Sequence, residues 1–171
     1  MSKPLDIDYK TWVSVNSSAE LSGMSLVVYQ HWDTRRAASI GPTWRELEFE
    51  ALPPAIIPWC VVMDVNDQEP HLVYRFWGTG RVNVHGQEMT GKAVSDFKPA
   101  KVSNAIIKEC EALIATKLPQ LFRKQYINSK DIEVTINTVR LPISDDGKNV
   151  TKIISYALGD QLPSSSDTFF N

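Results

Sequence analysis

The spacing of apolar residues switches between helical and alternating along this chain. Leu21, Met24, Val28 and Trp32 recur every three or four positions, and Leu26, Val27 and Tyr29 widen the stripe. That spacing predicts an amphipathic helix. Ser17 and Glu20 stand in capping-box register ahead of it, so the helix is expected to run to about Ala38, before Gly41-Pro42. Thr43 and Glu46 repeat the capping box. Trp44, Leu47 and Leu52 then mark a short second helix that Pro53-Pro54 ends. Trp59 to Met63 and Leu72 to Trp77 read as the strands of a hairpin around the turn cluster Asn66 to Pro70. From Gly78 to Phe97 glycines recur and no long period survives, which predicts short helices and turns. Pro99 opens a long helix through Thr116, with one row at Val102, Ile106, Glu109 and Leu113 and an apolar row at Ile107, Cys110 and Ile114. Three strands follow, Leu121 to Ile127, Ile132 to Ile143 and Val150 to Leu158. Ile132, Val134 and Ile136 alternate with polar residues, and Asp145-Asp146-Gly147 is a hairpin turn.

A hairpin, a helical crossover and a three-strand meander assemble into an α+β fold. Its five-stranded antiparallel sheet carries short helices and one long helix on one face, with an N-terminal helix leading in. The expected organisation is an N-terminal arm at 1–16, held loosely, leading helices at 17–52, a core domain at 53–159 and a flexible tail at 160–171. The serine triplet Ser164 to Ser166 lies in that tail. The 171 residues suit one domain, and an apolar share of 43% with 22% charged is ordinary for a buried core. The formal net charge of −2 and the lack of a basic patch argue against nucleic acid as a partner. The longest apolar run, Ile56 to Val65, is broken by Pro58 and Asp64 and is too short to cross a membrane. No apolar signal core stands at the N-terminus. Cys60 and Cys110 form neither a CxxC pair nor a disulfide framework. Together these point to a reducing cytoplasm.

Several stretches carry more specific information. Tyr74-Arg75-Phe76-Trp77-Gly78-Thr79 is followed by Gly86-Gln87-Glu88-Met89-Thr90-Gly91 and then Asp96. Trp32-Asp33 and Leu52-Pro53 precede it, and Arg140-Leu141-Pro142-Ile143-Ser144-Asp145-Asp146-Gly147 comes after. This combination, over about residues 32 to 158, resembles the bacterial single-domain PAS proteins. The resemblance implies a sensory or ligand-binding domain in signal transduction, not an enzyme. The ligand would sit between the sheet and the long helix, lined by Tyr74, Phe76, Ile106, Cys110, Ile114 and Tyr156, with Thr79 and His85 at the cavity border. No Gly-Arg-Asn-Cys-Arg-Phe-Leu-Gln-like helix occurs, and residues 99–116 hold no histidine. Flavin and haem are therefore disfavoured, and no other cofactor is evident. PAS domains often dimerise through the leading helix, so Leu21, Met24, Val28 and Trp32 are the candidate dimer or partner surface. A signalling partner protein is expected for a free-standing sensor.

Each candidate also has a plainer role. Gly78 would permit a turn and Thr79 cap the following helix. Alternation puts Leu72, Tyr74 and Phe76 on the inner face, and Arg75 with Val73 and Trp77 outside. Arg75 would then stack on Trp77 or pair with Asp64 or Glu88; its functional alternative is an anion clamp. His85 could titrate near neutral pH, or serve as a surface residue. His31 and His71 have no metal-ligand spacing. Cys60 and Cys110 read as small core hydrophobes. Two rival readings remain, a ligand-free interaction module using the open sheet face or the leading helix, and a small enzyme using His85 with Asp96 or Cys110.

Overall fold

The computed structural model describes residues 8–14, 21, 23–127 and 133–159. The Ser17–Glu20 capping box and the tail at 160–171 lie outside the described residues. The elements are β1 (Asp8–Ser14), α1 (Gly23–Arg36), α2 (Trp44–Leu47), β2 (Cys60–Val65) and β3 (Leu72–Trp77). They continue with α3 (Thr79–His85), α4 (Ala100–Thr116), β4 (Gln120–Ile127), β5 (Glu133–Ile143) and β6 (Lys152–Gly159). Short 3-10 turns stand at Phe49–Ala51, Ile57–Trp59 and Val94–Asp96.

The strands form one antiparallel sheet in the order β1-β4-β5-β6-β2-β3. Hairpin β2–β3, the crossover through α3 and α4, and meander β4–β5–β6 are the expected five-stranded sheet. The meander's last strand returns beside β2. This is an α+β fold with an antiparallel sheet, as expected. The sixth strand is a difference. Asp8–Ser14, expected within a loosely held arm, pairs with β4 from Asp8 opposite Gln125 to Ser14 opposite Gln120. Its seven residues include Tyr9, Thr11, Trp12 and Val13, which suit a pleated edge, yet they are too few to display a period.

Helices cover both faces of the sheet, not one. Directly opposed residues on neighbouring strands share a face. Leu121, Val139, Tyr156 and Cys60 make one cross-strand row, and Leu141, Ile154, Val62 and Phe76 the next. Both rows join Val28, Tyr29, Trp32, Leu47 and Leu52 in a single core cluster. Leu21, Val28 and Trp32, expected as a dimer or partner surface, are therefore buried against the chain's own sheet, while Met24 and Val27 stay exposed. The open sheet face required by the interaction-module reading is likewise occupied in this region.

Two features dock these leading helices. The Trp32 indole Nε1–H donates to the Pro142 carbonyl at 2.7 Å. A β-carbon at Gly41 would collide with that same carbonyl, so only glycine lets the chain pass. The predicted capping box of α2 forms, with Glu46 N–H donating to Thr43 Oγ1 and Thr43 N–H to Glu46. The β5–β6 turn then reaches back. Asp145 accepts from Trp44 N–H at 2.8 Å, Thr151 Oγ1 at 2.8 Å and Lys152 Nζ at 2.7 Å.

Burial pushes the Asp145 carboxyl up, but the hydrogen bonds from Lys152, Trp44 and Thr151 outweigh it and leave it below its ordinary 3.8. Its folded value thus lies under its unfolded value. The stabilisation is complete above the unfolded value and disappears as pH falls through the folded one. Asp145→Asn should lower the urea midpoint at pH 7 and narrow the difference between midpoints at pH 7 and pH 3. An unchanged difference would remove Asp145 from the acid response.

Candidate ligand-binding site

The face beneath α4 is built by a second cluster that includes Val61, Met63, Tyr74, Trp77, Phe97, Val102, Cys110 and Leu113. A polar row crosses this apolar surface. Gln120 on β4 opposes Arg140 on β5, Arg140 opposes Ser155 on β6, and Ser155 opposes Val61 on β2, which opposes Trp77 on β3. Gln120, Arg140 and Ser155 are all buried. Charged and amide side chains this deep require partners. Arg140 has them: Nη1 donates to Ser155 Oγ at 3.0 Å, and Nη2 to Glu109 Oε2 on α4 at 2.7 Å. Burial lowers the Arg140 pKa, but nearby Cys110, Glu109 and Tyr74 reverse this, so the net shift is upward.

Irregular pairing decides which aromatic residues reach the site. Val62 opposes Phe76 but Met63 opposes Tyr74, leaving Arg75 as an extra residue in β3. Such a bulge breaks the period of two. Tyr74 and Trp77 consequently meet on the α4 side, edge to face at 4.9 Å. Phe76 turns to the opposite face, against Phe49 at 5.1 Å. The expectation that Leu72, Tyr74 and Phe76 share the inner face is corrected to Leu72, Tyr74 and Trp77. Tyr156 is corrected too, since it sits on the α1–α2 face beside Cys60.

The other candidates distribute as follows. Ile106 and Ile114 are half-buried and pack on the α4-side cluster, where Cys110 is fully buried with its thiol 3.8 Å from Met63 sulfur. His85 packs against Trp77 and Phe97, with centroids at 5.7 and 5.2 Å. Arg75 is exposed, pairs with Asp64 at 2.8 Å and lies over Trp44 rather than Trp77. The structural pairing foreseen for Arg75 thus forms, away from the α4-side face. Burial raises the Cys60 thiol to about 12, as suits a core residue. His31 hydrogen-bonds the Leu47 carbonyl, and no group of three or more metal-binding side chains occurs among the described residues.

The glycine motif has a different physical reason from the one expected. Gly78 has φ −61° and ψ 146°, open to any residue. It is small because a β-carbon there would collide with the Pro58 carbonyl. Gly80 meets the same carbonyl and the Trp59 ring. Gly78, not Thr79, takes the N-cap position of α3. No side-chain cap bond forms, and Thr79 is exposed. Gly86 closes α3 in the left-handed region. Gly91, at φ 82°, turns the chain so that its N–H donates to the Tyr74 carbonyl and the Lys92 carbonyl accepts from Tyr74 N–H.

Arg81 is the residue that sequence reasoning missed. It reaches from α3 over the Trp77 ring at 5.7 Å and donates through Nη1 to the Ala157 carbonyl at 3.3 Å. Among the described residues its Nε is buried without a hydrogen-bond partner, and so are Tyr74 Oη, Trp77 Nε1 and the Gln120 amide. Glu109 did carry a signal: a carboxylate in a row with Val102, Ile106 and Leu113 implies a buried cation opposite.

No protein-family model and no curated protein matches the chain. Several solved structures are similar. One is a light-oxygen-voltage domain studied with a flavin analogue, at 8% identity and TM-score 0.43, covering 60% of this chain and 76% of that one. Another is the light state of the blue-light photoreceptor Aureochrome1 LOV domain, at 8% identity and TM-score 0.41, covering 60% and 80%. A third is an RNA-binding light-oxygen-voltage receptor, at 12% identity and TM-score 0.49, covering 90% of this chain and 39% of that one. The exclusion of flavin does not stand beside these neighbours. The motif sought carries a reactive thiol, which serves chemistry on a bound ring; holding a ring needs only a slot of the right shape. No described helix is long and apolar enough to cross a membrane.

Two substitutions probe this region. Arg140→Met takes the 2.7 Å partner from the largely enclosed Glu109 carboxylate and should cost about 3–5 kcal/mol, whereas adding Glu109→Leu should recover most of it. Urea unfolding measures both, and a double variant no more stable than the single one would deny the pair its role. Gly78→Ala should cost about 1–3 kcal/mol through overpacking against Pro58. A thermal midpoint equal to wild type would refute the close approach.

Proposed function

We propose that the chain is a PAS-type sensory domain of the bacterial single-domain branch. It binds a small molecule beneath α4 and hands its state to a dimer or partner contact. The observation that carries this reading is the set of buried, unpartnered polar groups on one face: Tyr74 Oη, the Gln120 amide and Arg81 Nε. An unmade buried hydrogen bond costs about 1–3 kcal/mol. A bound molecule that met these groups would relieve that cost only in the occupied state, which makes occupancy thermodynamically visible to the fold. Binding, rather than chemistry, is what such an array supports.

A relay is available along β5. Arg140 faces the ligand side, and two residues on, the Pro142 carbonyl holds Trp32 of α1. A shift of β5 on binding would move α1 on the far face, with exposed Met24 and Val27 at its surface. Native mass spectrometry of the freshly purified protein should give a mass above the denatured one. Adding the released molecule to stripped protein should move the Trp32 indole N–H resonance. Identical native and denatured masses, together with no thermal shift across a metabolite library, would favour the ligand-free interaction module instead.

A further inference from the structure

Two guanidinium groups converge on the α4-side face, and one carboxylate meets them. Glu109 belongs to Arg140, at 2.7 Å. Among the described residues no carboxylate pairs with Arg81, whose only hydrogen bond is a long one to the Ala157 carbonyl. Its Nε is enclosed and unpartnered, and so is the nearby Tyr74 hydroxyl. Tyr74 is almost wholly buried, and it lies within electrostatic reach of both Arg81 and Arg140. Burial lowers the Arg81 pKa to about 10, so the group remains a cation at neutral pH. Arg81 as a whole is only partly buried, but its Nε–H is cut off from solvent without an acceptor, and a desolvated guanidinium donor calls for one, best an anion.

Resting on the ligand-binding reading above, we infer that the molecule bound beneath α4 is a small monocarboxylic acid with an apolar body, its carboxylate seated on Arg81 and Tyr74. Among the described residues Glu109 pairs with Arg140 and no carboxylate pairs with Arg81, which favours a monoanion. A phosphate, at up to two negative charges, would need the cation already held by Glu109. The geometry of the groups selects a carboxylate: the guanidinium edge presents parallel N–H donors to its two oxygens, and a tyrosine hydroxyl donates to one of them. The walls select an apolar body, since Met63, Trp77, Val94, Phe97 and Cys110 surround the polar row.

Matched acid and amide pairs test this by calorimetry on the full chain stripped of bound material: acetate to octanoate, 3-phenylpropionate, their neutral amides, and inorganic phosphate. At least one acid should bind tenfold or more tighter than its amide, and the Arg81 Nε–H resonance should move with it. Arg81→Met should abolish the preference while leaving amide binding unchanged. Tyr74→Phe should weaken the acid severalfold and spare the amide. If Arg81→Met does not fold, the wild-type pairs and Tyr74→Phe decide. Equal binding of acid and amide overturns the anion inference and leaves ligand binding intact. Tighter binding of phosphate overturns the carboxylate class. Binding of no probe, combined with no co-purified mass, overturns both readings.

Discussion

Arg140 places a guanidinium in the middle of a sheet whose two faces are both covered, and this buried charge constrains what packs over it. The carboxylate that answers it must come from the long helix, because the flanking strands offer only Ser155 and Gln120 in the same row. Glu109 at 2.7 Å therefore sets the height and rotation of α4 above the sheet. With that rotation set, Val102, Cys110 and Leu113 point inward. Replacing such a pair by well-packed apolar residues is often neutral, while removing one partner is costly. The pair is thus a weak source of stability and a strict device for position.

The opposite face is held by a different logic. There the contacts are mainly apolar, with a hydrogen bond from Trp32 to the Pro142 carbonyl and a glycine, Gly41, that lets the chain reach it. The separated pieces Trp32-Asp33 and Arg140-Leu141-Pro142 are therefore two halves of one contact. Asp145 completes it by binding the first backbone N–H of α2. Sequence stretches more than a hundred residues apart thus satisfy each other's polar groups.

Much of the fold was legible because it rests on local rules. The long helix, the β2–β3 hairpin, the α2 capping box and the meander follow from period, caps and turn residues. The failures have physical causes. The β3 bulge cannot be seen in Leu-Val-Tyr-Arg-Phe-Trp, because alternation reads the same until a partner strand defines the extra residue. That one residue moved Phe76 out of the site and Trp77 into it. Gly78 looked like a turn, but its smallness answers a carbonyl twenty residues away. Strand β1 was too short to show a period. At the candidate site, Tyr74 and Cys110 were placed on the correct face, while Arg81 was passed over. In a short segment of glycines and turns no pattern distinguishes a cation aimed inward from one aimed at water.

In the proposed sensing role, β5 explains why a ligand on one face could be felt on the other. Neighbouring residues of a strand project to opposite faces, so Arg140 and Leu141 tie the two cores to the same few ångströms of backbone. Close packing on both sides leaves little slack to absorb a shift of that backbone. What the ligand can transmit is bounded by its differential affinity for the two arrangements. Compensating an unpaired guanidinium is among the larger differences a small molecule can supply. Loss of the Trp32–Pro142 hydrogen bond would strand a buried donor at about 1–3 kcal/mol. A ligand on the α4 side would therefore need a differential affinity of at least about 1–3 kcal/mol to release α1 through this strand.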